Sequence, residues 1–147
     1  MDGCGPLKSK RWDRYPHPEP ILESSTMLKL YCVFDAQAVK AMKGNRGKLA
    51  AQAGHAYLHT VWDAEDRFPE TAKEYKHSEK AYKIALLAEN ADVLHQLEEL
   101  YKPICGVSLV TDAGLTVFDG PTITCLGIGP IDPEHREKIL QSLPTLV

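Results

Sequence analysis

The chain has 147 residues, of which 44% are hydrophobic and 25% charged, and its formal net charge is −3. These values are ordinary for one globular domain with a core of its own. No apolar run reaches the roughly 18 residues of a membrane-spanning helix, and the N-terminus lacks the apolar segment of a signal peptide. The sequence therefore argues against a membrane protein and predicts a cytoplasmic one.

The charge is distributed unevenly along the chain. Residues 1–48 hold nine Lys or Arg and five Asp or Glu, a net +4, whereas residues 49–147 have a net −7. This asymmetry is compatible with a phosphate-bearing partner on one side of the molecule, although a flexible basic tail is the commoner explanation. Prolines interrupt residues 1–26 and no apolar periodicity is visible there, so we expect a basic, Pro-rich arm before a domain at 27–147.

Hydrophobic patterning predicts four strands alternating with helices. The expected strands are 27–34, 82–88, 104–110 and 122–128. The expected helices are 47–67, 69–80, 90–101 and 132–143, with a loop over 35–46. This order predicts a single three-layer α/β/α domain, in which helices flank a four-stranded mixed sheet. In the third helix we expect Val93, Leu94, Leu97 and Leu100 on the buried side.

The four cysteines show no metal-ligand or CxxC spacing. They are Cys4, Cys32, Cys105 and Cys125. The last three lie in apolar runs, where a reduced cysteine behaves as a small hydrophobic residue. Buried free thiols are therefore a better expectation than disulfides or zinc.

The stretch at 47–56, GKLAAQAGHA, combines small residues with a polar stripe. The small residues suit a helix packed closely on a sheet through an Ala-rich side. Lys48, Gln52, His55 and His59 follow one another at spacings of four, three and four, which places them on one side of that helix. Because amphipathicity alone does not require such a stripe, we expect the functional site of the protein on this side of the helix.

Further polar residues stand near the ends of the predicted strands. Asp112 follows the third strand, Thr116 comes shortly after it, and Thr124 lies within the fourth strand. Ligands of open α/β sheets bind at strand ends and helix N-termini, so these groups and the first turn of the 47–67 helix are candidates for a common site.

Three segments, GKLAAQAGHA (47–56), SLVTDAGLT (108–116) and TCLGIGP (124–130), occur in the order and at nearly the spacing of one known family. Over residues 28–142 the chain resembles the type 2, archaeal and eukaryotic, peptidyl-tRNA hydrolases. The resemblance implies hydrolysis of the ester that joins a peptide to the 3′ end of tRNA. It also implies that no cofactor is needed, and that the chain forms a homodimer.

The resemblance assigns catalytic roles to four residues, namely Lys48, Asp112, Thr116 and Thr124. Asp112 would orient water or accept its proton, Lys48 would stabilise the oxyanion or bind a phosphate, and the threonines would donate to the oxyanion. Whether Lys48 or Asp112 activates the water stays open. The residues expected to bind substrate are Lys43, Arg46, Gln52 and His55.

His55 and His59 also have the i, i+4 spacing of a metal pair. No glutamate follows His55 as in H-E-x-x-H, and no third ligand is evident. We therefore expect no metal, and the resemblance implies that His55, which matches the family's histidine, braces the site by hydrogen bonding.

The chain departs from the family pattern at two arginines. Leu115 stands where the family motif reads D-A-G-R-T, and Asp35 stands where an arginine commonly follows the first strand. Because phosphate binding depends on Lys and Arg, the loss of these arginines affects the inferred identity of the substrate more than it affects the inferred catalytic residues. Lys43 and Arg46 in the longer loop are candidates to compensate. Two alternatives follow: a divergent hydrolase of another small ester or amide, and a non-catalytic binding module on the same fold.

Overall fold

A computed structural model describes residues 27–114, 118, 120–136 and 138–146. The strands are β1 (Lys29–Asp35), β2 (Tyr82–Ala88), β3 (Gly106–Asp112) and β4 (Thr122–Ile131). The helices are α1 (Ala36–Ala41), α2 (Arg46–Arg67), α3 (Pro69–Lys76), α4 (Ala91–Tyr101) and α5 (Lys138–Ser142). The predicted arm at 1–26 lies outside the described residues.

The four strands form one mixed sheet in the order β2-β1-β4-β3. β1 runs parallel to β2 and antiparallel to β4, and β3 is antiparallel to β4. This arrangement confirms the predicted four-stranded mixed sheet and leaves β3, the strand that ends at Asp112, at an edge.

Side chains alternate between the two faces of β1 and separate two cores. Tyr31 and Val33 pack in one cluster with Leu94 of α4, whereas Cys32 packs on the opposite face with Ala56 of α2. Successive strand residues point to opposite faces of a sheet, so α2 and α4 cover different sides. The three-layer α/β/α prediction is confirmed.

α2 approaches the sheet closely because of glycines in the sheet. A Cβ built at Gly127 would overlap the side chain of Thr60 and lie 2.7 Å from the carbonyl oxygen of Ala56. The close packing predicted from 47–56 is observed, with Ala53 and Ala56 of α2 against the sheet, and the sheet glycines add to it. Ala56 is buried, but Gly54 is exposed with open space around its Cβ position.

The C-terminal end of α2 is fastened to the segment before β3. The Arg67 guanidinium donates to the carbonyl oxygens of Lys102 (2.6 Å) and Cys105 (2.8 Å), and a carboxylate oxygen of Asp63 accepts from the backbone N–H of Val107 at 2.9 Å. Arg67 also binds Asp63 at 2.6 Å, and this hydrogen bond lowers the pKa of the Asp63 carboxyl. These contacts fix α2 relative to the strand that carries Asp112.

Two predicted segments were wrong. Residues 36–41 form the helix α1 where a loop was expected, because the Asp35 side chain caps its first turn by accepting from the backbone N–H of Gln37 at 2.8 Å. The long last helix expected at 132–143 is a short 3₁₀ turn, Pro133–His135, and the short helix α5.

The predicted buried side of α4 was wrong at one residue. Leu100 is 43% exposed, whereas its neighbour Tyr101 is fully buried. Leu94 and Leu97 are buried as predicted, and the Asn90 side chain caps the helix by accepting from the backbone N–H of Val93 at 3.2 Å.

The cysteines of the described residues are buried free thiols, as predicted: Cys32, Cys105 and Cys125. Burial raises the pKa of the Cys105 thiol to about 12, so this thiol stays protonated. Cys4 lies outside the described residues. Within the described part of the chain, every helix is too short or too polar to cross a membrane.

Candidate active site

Lys48 and Asp112 meet between the first turn of α2 and the end of β3. The Lys48 ammonium group lies 2.5 Å from one carboxylate oxygen, Oδ2, of Asp112. Their side chains are 19% and 5% exposed, respectively, so the pair is largely shielded from water. The turn that carries Lys48 is fixed by Asn45, whose side chain accepts from the backbone N–H of Lys48 at 2.9 Å and caps the helix.

Asp112 is held by donors on both carboxylate oxygens. The Gln52 amide donates to Oδ2 at 3.1 Å, and the backbone N–H of Gly114 donates to Oδ1 at 2.7 Å. The hydrogen bond from Lys48 and then that from Gly114 lower the pKa of the Asp112 carboxyl, although burial opposes them. Asp112 is therefore ionised and fixed in orientation.

Gln52 connects this pair to Thr124. The Thr124 hydroxyl is fully buried and donates to Oε1 of Gln52 at 2.6 Å. A carboxylate can only accept, so the amide nitrogen of Gln52 must face Asp112 and its oxygen must face the hydroxyl. One chain of hydrogen bonds thus joins Lys48, Asp112, Gln52 and Thr124.

A β-bulge in β4 aims Thr124 at α2. Val110 pairs with Cys125 but the next residue, Thr111, pairs with Ile123, so Thr124 has no partner on β3. An extra residue of this kind breaks the alternation of side chains along a strand. Thr124 and Cys125 consequently both contact Gln52, the thiol at 3.6 Å from the backbone carbonyl oxygen.

Other predicted site residues lie further out. Lys43 and Arg46 are exposed in the turn before α2 and at its first residue, and the described contacts do not connect them to Asp112. They are exposed cations in the segment that leads into Lys48. Thr116, expected to donate to an oxyanion, lies outside the described residues, as does Leu115.

His55 does not brace the network. Its ring is stacked on that of His59, with centroids 4.0 Å apart and planes inclined by 11°, and no hydrogen bond joins His55 to the described residues of the network. In the parts of the chain that the structure describes, no three His, Cys, Asp or Glu side chains cluster as metal ligands would.

Two site features escaped the sequence interpretation. The Asn45 cap has a usable signal, since asparagine three residues before the capped N–H is a common start of a helix. The bulge at Thr124 has no local signal, because it depends on the pairing of two distant strands. The bond of Gly114 to Asp112, in contrast, is the side-chain turn that the sequence favours for an aspartate two residues before a glycine.

Replacing Lys48 by methionine is expected to raise the pKa of Asp112, because burial is then opposed mainly by the Gly114 N–H. Carboxyl-carbon NMR titration of wild type and Lys48→Met measures this. The pKa of Asp112 is lower in the folded state than in the unfolded state, so its ionised form stabilises the folded protein. This contribution to the free energy of unfolding is fully present above the unfolded-state pKa and is lost as the pH falls through the folded-state pKa. An unshifted Asp112 resonance in Lys48→Met would contradict the assigned cause.

Comparison with known proteins places the chain in a family. Residues 29–146 match the family described as peptidyl-tRNA hydrolase PTH2. The chain is similar to the peptidyl-tRNA hydrolase of Methanopyrus kandleri, with 38% identity over 106 residues, which are 71% of this chain and 90% of the relative.

Two further relatives agree with this match. The peptidyl-tRNA hydrolase of Methanothermobacter thermautotrophicus is 38% identical over 109 residues, covering 71% of this chain and 91% of the relative. The protein named peptidyl-tRNA hydrolase 2, mitochondrial, of Mus musculus is 36% identical over 99 residues, which are 67% of this chain and 54% of that protein. The match covers β1 to the C-terminal segment, the part that carries the Lys48–Asp112 network, and the chain belongs to the peptidyl-tRNA hydrolase PTH2 family.

Proposed function

We propose that this protein hydrolyses the ester bond of peptidyl-tRNA and releases free tRNA and the peptide, with the Lys48–Asp112 pair at the reacting centre. Membership of the family supports the reaction. The observation that carries the choice of residues is the shielded Lys48–Asp112 contact, which lies on two of the motifs by which the sequence resembles the family.

In the proposed reaction, water attacks the ester carbonyl carbon, and the bond to the ribose oxygen of tRNA then breaks. Negative charge develops on the carbonyl oxygen, and the Lys48 ammonium group is placed to stabilise it. The lowered pKa of Asp112 makes its carboxylate a weak base, so we assign it to holding Lys48 and orienting water. The attacking water loses one proton and the ribose oxygen takes one up as it leaves, so the reaction consumes one water and leaves the peptide with a free carboxyl group.

Thr124 has a different role from the one first expected. Its hydroxyl is fully buried and its hydrogen is used on Gln52, so it is a positioning residue for the Gln52 amide and does not touch substrate. Gln52 in turn holds Asp112. Thr116 remains a candidate oxyanion donor on the resemblance alone. The exposed cations Lys43 and Arg46 are proposed to bind tRNA phosphates.

Replacing Thr124 by valine is expected to lower kcat about tenfold, roughly the contribution of one hydrogen bond to orienting Gln52, while KM changes little. Valine keeps the shape of the buried side chain, and Thr124→Ser restores the hydroxyl. Steady-state kinetics of both variants check this. If Thr124→Ser is as slow as Thr124→Val, the hydroxyl is not what matters.

The reaction itself is tested by release of tRNA from N-acetyl-aminoacyl-tRNA at low salt, with the Methanopyrus kandleri relative as positive control. We expect turnover that weakens steeply as salt is added, because binding to tRNA displaces counterions. Absence of turnover at concentrations where the relative is active would contradict the proposal. Assays with small esters and amides would then test the divergent hydrolase, and partner binding without hydrolysis would indicate the binding module.

We also propose a cytoplasmic homodimer. The free buried thiols Cys32, Cys105 and Cys125 support a reducing compartment, and the family resemblance supports the dimer. Cell fractionation tests the compartment, and light scattering on the purified protein tests the assembly.

A further inference from the structure

α2 extends the candidate active site as a ladder of aromatic rings. The His55 and His59 rings are stacked with centroids 4.0 Å apart, and the Trp62 ring lies 4.9 Å from His59 at an angle of 57°. Trp62 is 50% exposed, and His55 is exposed as well. The facing sides of His55 and His59 cover each other, so the aromatic surface open to solvent belongs to the exposed rings of His55 and Trp62.

The ladder lies on the same flank of α2 as the reacting centre. From Lys48 through Gln52 to the three rings the spacings are four, three, four and three residues. With 3.6 residues per turn these side chains fall within about 80° around the helix axis, and His55 and Trp62 are about 10 Å apart along it. The ladder therefore begins one turn beyond the Gln52 bond to Asp112.

The chemistry of the substrate limits what can lie along this flank, and this step rests on the proposed function. The scissile ester joins the peptide to the terminal nucleotide of tRNA, so the unpaired 3′ nucleotides must leave the reacting centre along the protein surface. The peptide varies from substrate to substrate, whereas the unpaired 3′ end is common to all tRNAs. A fixed set of aromatic rings therefore suits the 3′ end of tRNA, which is constant, better than it suits the variable peptide.

We propose that the His55–His59–Trp62 ladder stacks the unpaired 3′-terminal bases of the tRNA. Because the His55 and His59 rings are already in contact at 4.0 Å, the bases would stack on the outer rings, His55 and Trp62, which lie about 10 Å apart along the helix. Stacking on aromatic side chains is the usual way in which proteins hold single-stranded nucleic acid.

The charges at the two ends of the ladder agree with this direction. Exposed Lys43 and Arg46 lie at the end beside the reacting centre, where the sugar–phosphate backbone of the last nucleotides would pass. Beyond Trp62, exposed Asp66 follows one turn later, and its carboxylate would repel a phosphate. These charges thus limit the proposed binding surface to a short length, which suits a few bases and not a long strand.

A binding experiment tests the stacking without depending on hydrolysis. The chain has two tryptophans, so Trp12→Phe leaves Trp62 as the sole tryptophan fluorophore. Titration with deacylated tRNA is expected to quench this fluorescence, and titration with the same tRNA lacking its three 3′-terminal nucleotides is expected to leave it nearly unchanged. Equal quenching by both RNAs would overturn the proposal.

A kinetic experiment tests the same contact in turnover. His59→Ala removes the ring that supports His55, and Trp62→Ala removes a stacking face, so each is expected to raise KM for N-acetyl-aminoacyl-tRNA about tenfold, with kcat nearly unchanged. His59→Phe, which keeps a stacking face, is expected to stay near wild type. Leu100→Ala, which removes an exposed side chain from α4 on the opposite face of the sheet, is the matched control.

The experiments distinguish failure of the proposed function from failure of the stacking proposal. If wild type does not hydrolyse the ester although intact tRNA quenches Trp62, the proposed function fails and the platform stands. If wild type hydrolyses the ester while the KM values of the ladder variants are unchanged, the platform fails alone. If His59→Ala and Trp62→Ala reduce the mass of the assembly in light scattering, the face is an interface between copies and the platform proposal is wrong.

Discussion

Asp112→Asn is expected to reduce kcat/KM for N-acetyl-aminoacyl-tRNA by about 10²–10³-fold, the range for loss of one group that stabilises an oxyanion, because Lys48 is then no longer held in place. Asparagine keeps the size of the side chain and can still accept from the backbone N–H of Gly114. It removes the negative charge that holds the Lys48 ammonium group. Steady-state release of tRNA measures the effect.

The matched control for this variant is Asp66→Asn. Asp66 lies on α2 and is exposed, so the same chemical change there is expected to leave kcat/KM within about twofold, as for other exposed surface sites. Circular dichroism and urea unfolding establish that both variants are folded. Activity of folded Asp112→Asn near the wild-type level would remove Asp112 from the mechanism.

Gly127→Ala is expected to lower the free energy of unfolding by about 3 kcal/mol, the upper part of the range for overpacking. The added Cβ overlaps the Thr60 side chain and meets the backbone carbonyl oxygen of Ala56 at 2.7 Å. A backbone atom cannot rotate away, so α2 must shift. That shift also moves Gln52, and we expect kcat to fall in the molecules that remain folded.

Gly54→Ala is the contrasting substitution. Gly54 lies within α2 with no atom within 4 Å of its Cβ position, and alanine is favoured over glycine in a helix by about 0.5–1 kcal/mol. We therefore expect this variant to be more stable than wild type. Urea unfolding of both variants checks the pair, and equal destabilisation would mean that the close contact at Gly127 does not decide the outcome.

The regular elements were predictable because their signals are local. Strand 82–88 has the observed bounds of β2, and the predicted helix 47–67 differs from α2 by one residue. The signal in 82–88 is a mostly apolar run of strand length, and the signal in 47–67 is a polar stripe at helical spacing beside small residues. α1 has only six residues, too few to show a helical period, and it depends on the Asp35 cap.

The last part of the chain was less predictable for a similar reason. Asp132 and Pro133 correctly indicate a helical start, and the Asp132 side chain accepts from the backbone N–H of Glu134 at 3.1 Å. The start signal does not fix how far a helix continues. Here the turn stops at His135, and α5 begins separately at Lys138.

The residues of the candidate site were predictable from the motifs, but their connections were not. The stripe of Lys48 and Gln52 follows from helical spacing alone. That Gln52 reaches Asp112, 60 positions along the chain, requires knowing how α2 lies across the sheet. The role of Thr124 depends on the β4 bulge, and without it the alternation of the strand would turn Thr124 away from α2.

A double-mutant cycle on Lys48 and Asp112 tests the central claim most directly. Release of tRNA from N-acetyl-aminoacyl-tRNA is measured for wild type, Lys48→Met, Asp112→Asn and the double variant. Residues that act as one unit have non-additive effects, so the double variant is predicted to be about as slow as the slower single variant. Effects that multiply, or single variants that retain wild-type rates, would contradict a reacting centre built on this pair.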